Sequence, residues 1–77
     1  MTNKLKKSFS LGLNIDIEKV DADLKYQGIS EWDSISHMML ISQIEEDFDI
    51  SIDTDDVIDL SSLQKAVEIL KKYDINF

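Results

Sequence analysis

The segment EWDSISHMMLISQIEEDF, residues 31–48, decides how this 77-residue chain is read. Within it Ile35, Met38, Ile41, Ile44 and Phe48 recur at spacings of three and four, with Leu40 beside them. That period lays one apolar face along about four turns of α-helix, the pattern of a helix resting on a core. Trp32, Asp33 and Ser34 stand at its mouth. Two caps are open: Ser30 and Asp33 fit the pattern S-x-x-D, or Asp33 itself closes the first turn. In either case Ser34 lies near a helix amino terminus. There the unsatisfied N–H groups and a dipole of roughly half a positive charge favour a phosphate ester on its hydroxyl. Ser34 is thus either an ordinary first-turn residue or a hydroxyl offered for modification.

Three further helices are expected around this one. Leu5, Phe9 and Leu11 give a first helix over about residues 3–11, with Gly12 as its stop. A connection of about 18 residues follows, long for so small a domain. Ile15, Ile17, Val20, Leu24, Tyr26 and Ile29 are its apolar anchors. After the central helix, DISID at residues 49–53 alternates like a strand but has no partner, and reads as a connector with Ile50 and Ile52 buried. Asp53 or Thr54 can cap a short third helix through Val57 and Ile58. Ser61 or Ser62 can cap the last, with Leu63, Ala66, Val67 and Leu70 inward and Lys71 and Lys72 at the favourable carboxyl end. The expected fold is all-α: one four-helix bundle over residues 1–77, with a long first loop and a short third helix.

Charge bounds the partners. Of 16 Asp and Glu, fourteen lie between Asn14 and Asp59 against only Lys19 and Lys25, and the chain carries a formal −8. Such a field repels nucleic acid and anionic lipid and hastens encounters with basic surfaces. A purely solubilising acidic face is the plain alternative. No cysteine is present, so no disulfide or thiolate metal site staples the fold. The longest apolar run, Met38 to Ile41, is far short of a membrane span, and a cytoplasmic monomer is expected.

Catalysis and specific metal binding find little support. His37, the single histidine, lies three residues after Ser34, but no glycine-rich turn offers an oxyanion hole, and a solvated histidine is the simpler reading. A calcium loop starting at Asp47 would need glycine where Ile52 stands and glutamate where Ile58 stands. Diffuse divalent-cation attraction to Asp47, Asp49, Asp53, Asp55 and Asp56 is all that remains.

From Asp33 onward the sequence resembles an acyl carrier protein. DSISHMMLISQIEEDF resembles the family's Asp-Ser-Leu motif and the helix that follows it, and the likeness runs over roughly residues 5–70. It implies that Ser34 accepts a 4'-phosphopantetheine arm from coenzyme A through a separate phosphopantetheinyl transferase. The arm's thiol would then carry an acyl group as a thioester, which would let a cysteine-free chain do thiol chemistry while partner enzymes supply the catalysis. Asp33 matches the motif aspartate. Glu45, Glu46 and Asp47 match the acidic end of the recognition helix, where basic patches of acyl-loading and acyl-transfer enzymes dock.

By the same resemblance Leu40, Ile44, Ile52, Val57 and Leu60 would line the space that shelters an acyl chain; read from the residues alone they form the core. Several positions depart from the family. Ile35 replaces the usual leucine, Trp32 stands where a small or acidic residue is usual, and Met39 and Ser42 replace an acidic and an apolar contact residue. Trp32 would pack beneath Ser34 or, with Ile35 and Met39, offer an apolar contact to a partner. These departures point to a free-standing carrier of a specialised pathway. An aminoacyl or peptidyl carrier, and an unmodified acidic module docking through its central helix, are the competing readings.

Overall fold

The computed structural model describes residues 3–75, and these form four helices: α1 (Asn3–Leu13), α2 (Ser34–Phe48), α3 (Thr54–Asp59) and α4 (Leu63–Lys71). A 3₁₀ turn, Ile17–Lys19, interrupts the loop after α1, and no strand is present among the described residues. The all-α bundle expected from the sequence is the fold. Leu5, Phe9 and Leu13 of α1 meet Leu40, Ile41 and Ile44 of α2, and Leu63, Ala66, Ile69 and Leu70 of α4 close the core.

Gly12 does not end α1. The helix runs on to Leu13, and a Cβ at Gly12 would stand 2.6 Å from the Cα of Leu40, so glycine is there to let α1 and α2 touch backbone to backbone. The stop is Asn14, left-handed at φ 57°, with the Ile15 amide reaching back to the Ser10 carbonyl. This closure satisfies carbonyls that the last turn would otherwise leave bare. It recurs at Asp49 after α2, where Ile50 N–H bonds to Glu45 O, and at Asp74 after α4, where Ile75 N–H bonds to Leu70 O. Short polar side chains that tolerate the left-handed region thus take the place of glycine.

The long loop is packed. Val20 and Leu24 are buried and Ile15, Tyr26 and Ile29 lean on the core, whereas Ile17 is exposed. Tyr26 N–H bonds to Ser61 O at 2.8 Å and Lys25 pairs with Ser62 as an isolated bridge, fixing the loop to the α3–α4 junction. Ser62 caps α4 by accepting from the Lys65 amide.

Asp56 of α3 is buried. It accepts from the Lys72 ammonium and from the Tyr73 hydroxyl, and that hydroxyl in turn accepts from the Asp53 amide at 2.9 Å. This polar knot pins the six-residue α3, too short to hold itself, to the end of α4.

Candidate functional site

The site begins with the cap of α2. Asp33 is the N-cap, its carboxylate accepting from the amides of Ile35 at 3.0 Å and Ser36 at 2.9 Å. Ser36 returns the bond by accepting from Asp33 N–H at 2.9 Å, and its hydroxyl donates to Glu31 O at 2.6 Å. The capping box is therefore Asp33 with Ser36, not Ser30 with Asp33. The Ser36 amide, followed by the Ser36 hydroxyl and the Ile35 amide, holds the Asp33 carboxyl below the usual carboxylate range.

Ser34 takes no part in this closure. It is exposed in the first turn of α2, and among the described residues its hydroxyl makes no hydrogen bond to the protein. The carboxylate of Asp33 already occupies the amides of Ile35 and Ser36, so a phosphate ester on Ser34 would feel the helix dipole more than those N–H groups.

Beside Ser34 opens a cavity of about 310 Å³ between α2 and α3. Met38, Val57, Ile58 and Leu60 supply its apolar wall, and Tyr26 and His37 complete it. Of the five residues expected to shelter an acyl chain, Val57 and Leu60 line this space; Leu40, Ile44 and Ile52 lie in the core and do not border it. Tyr26, Met38 and Ile58 join the wall because the loop and the exposed flank of α2 fold over it, which their sequence pattern did not signal.

Trp32 is fully buried and has no surface to offer a partner. Its ring packs edge-on against Phe9 at 5.5 Å and Tyr26 at 6.1 Å, beside the first turn of α2. The reading of His37 as a solvated side chain is corrected as well. Trp32 Nε1–H donates to His37 Nδ1 at 2.9 Å, and His37 Nε2 lies 2.7 Å from Val57 O. An indole N–H can only donate and a carbonyl can only accept, so this frame fits the neutral Nε2–H imidazole.

Apolar side chains are exposed on α2 and α3: Ile35 is 75% and Met39 60% exposed, and Ile58, on the cavity wall, 74%. The stripe predicted along α2 therefore turns inward only from Leu40 onward, and its first turns face solvent. The acids at the far end are unequal. Glu46 is exposed, whereas Glu45 accepts from the Ile52 amide at 2.8 Å, and Asp47 accepts from the buried Ser8 and from Gln43. No group of three or more His, Asp or Glu is placed to hold a metal ion among the described residues. No helix among them is long and apolar enough to cross a membrane.

The family model described as "Phosphopantetheine attachment site" matches residues 3–70. The chain belongs to the acyl carrier protein family. The acyl carrier protein of Buchnera aphidicola subsp. Schizaphis graminum (strain Sg) is 36% identical over 67 residues, covering 87% of this chain and 85% of its own. That of Lactobacillus johnsonii (strain CNCM I-12250 / La1 / NCC 533) is 32% identical over 71 residues, covering 92% and 89%. No solved structure gives a significant match. The prosthetic group of such a carrier is covalent 4'-phosphopantetheine. A cysteine-free carrier with an unengaged, exposed serine hydroxyl beside an apolar cavity fits that group.

Proposed function

We propose that Ser34 is the attachment point and that this carrier, with no catalysis of its own, moves thioester-bound acyl groups between partner enzymes. The observation that carries the reading is the division of labour in the first turn of α2: Asp33 and Ser36 cap the helix, which leaves the Ser34 hydroxyl unspent at the cavity mouth. When bound, phosphopantetheine brings the thiol on which the acyl group rides. The chain's own residues orient and shelter: Asp33 holds Ser34 at the helix start, and Met38, Val57, Ile58 and Leu60 offer apolar surface to the cargo.

Partner enzymes would meet two kinds of exposed surface. Exposed Ile35 and Met39 near Ser34, with Ile58 across from them, offer apolar contact. Exposed Glu46 and the acidic residues Asp55 and Asp59 of α3 supply the field that attracts basic docking patches. Glu45 and Asp47 contribute charge while also serving the fold. The departures at Trp32, Ile35, Met39 and Ser42 are what favours a specialised carrier over a housekeeping one.

The test is an intact-protein mass spectrum after incubation with coenzyme A, magnesium and a broad-specificity phosphopantetheinyl transferase. The parent should gain one phosphopantetheine and Ser34→Ala none. Lack of gain with several transferases would make the chain an unmodified acidic docking module.

A further inference from the structure

One hydrogen-bonded chain runs into the wall of the cavity. It runs from Trp32 Nε1–H to His37 Nδ1 and from His37 Nε2–H to Val57 O, joining the end of the loop, the second turn of α2 and the middle of α3. The imidazole is held from a third side by Tyr26, whose ring centroid lies 5.2 Å away. Leu40, Ile44 and Ile52 lie outside the cavity and are at most 9% exposed, so the space beside Ser34 stops short of the deeper core. To reach that core, cargo must part α2 from α3, and the His37–Val57 bond is the polar tie that spans them. Breaking it leaves a part-buried imidazole N–H and a carbonyl without their partner beside an apolar wall, a penalty that a cargo confined to the outer cavity never meets.

We infer that His37 is a specificity-determining residue that limits how deeply acyl cargo enters, so that the carrier shelters short acyl chains and leaves the remainder of long ones in solvent. This rests on the carrier reading above. Trp32 acts through His37 as its positioning residue: it spends its only donor on Nδ1, which leaves the ring proton on Nε2 where Val57 accepts it.

The test loads butyryl-, octanoyl- and dodecanoyl-phosphopantetheine onto the full chain from the corresponding acyl-coenzyme A, with mass spectrometry confirming each product. Failure at this step strikes the carrier reading and not the role of His37. Melting temperature is then compared with that of the thiol form, and amide chemical shifts are followed at Leu40 and Ile44. In the parent, butyryl should raise the melting temperature, octanoyl and dodecanoyl should add nothing further, and the two core amides should stay unmoved. In His37→Leu, dodecanoyl should raise it by about 4 °C or more beyond butyryl, with shifts at both amides. A melting temperature that climbs steadily with chain length in the parent overturns the inference, whether or not His37→Leu folds. So does a His37→Leu series as flat as that of the parent.

Discussion

A methyl group on Gly12 would sit 2.6 Å from the Cα of Leu40, closer than any real Cβ contact. Two opposing terms meet in Gly12→Ala. Alanine favours the helix by about 1 kcal/mol over glycine, but the clash is with backbone, which cannot swing aside, and overpacking costs about 1–3 kcal/mol. The substitution should therefore lower the urea midpoint. A raised midpoint would show that α1 and α2 can separate freely at this crossing.

The serines of α2 separate cap from site. Ser36→Ala removes the hydroxyl that closes the capping box and should cost about 1 kcal/mol. Ser34→Ala removes a hydroxyl with no protein partner and should stay within about 0.5 kcal/mol of the parent. Urea titration of the two variants side by side checks this, and equal losses would put Ser34 in the cap.

The knot at α3 gives stability a defined acid dependence. The Lys72 ammonium first and the Tyr73 hydroxyl second hold the Asp56 carboxyl below its ordinary value. A depressed carboxyl stabilises the fold above its unfolded pKa, about 3.9, and that contribution is lost as pH falls through the folded value. Asp56→Asn should thus be less stable than the parent at pH 7, and the gap should narrow at pH 3. Taking the difference between the chains cancels the relief of acidic repulsion that both share.

At the other end of the scale, Lys72 is raised by its hydrogen bond to Asp56. For Tyr73 the Asp53 amide pulls downward, but burial and the Asp56 carboxylate outweigh it, and the net shift is upward. Both contributions are complete below the unfolded values near pH 10 and vanish as pH rises through the folded ones. Tyr73→Phe breaks two hydrogen bonds of the knot and should cost about 1–2 kcal/mol at pH 7. Its deficit should shrink in mild alkali, measured by urea titration at pH 7 and pH 10.5.

Asp49 closes α2 in the left-handed region, at φ 54°, and places a negative charge at the negative end of the helix dipole. Asp49→Gly relieves both and should stabilise by roughly 0.5–1 kcal/mol, read as a higher melting temperature.

What the sequence revealed and what it hid have physical reasons. The length of α2 was legible because its period of three and four extends over many turns, and its start at Ser34 because Asp33 is a ready cap. Gly12 was misread because a glycine that ends a helix and one that admits a neighbouring helix look alike until the neighbour is placed. His37 was misread because its partners are an indole five residues back and a carbonyl twenty residues on. Asp56 looked like one more surface acid in a run of them, and Glu45 and Asp47 looked free for partners. Asp47 and Asp56 meet Ser8 and Lys72 only when distant segments pack, and Glu45 meets the Ile52 amide only when the connector folds back on α2.

Trp32 is the only tryptophan in the chain. Its indole lies wholly out of water, with its nitrogen committed to the ring that ties α2 to α3. The molecule thus carries a built-in chromophore at a hydrogen-bonded link between α2 and α3. Any parting of those helices changes the polarity and hydrogen bonding of that indole, and its emission wavelength reports the event in unlabelled protein.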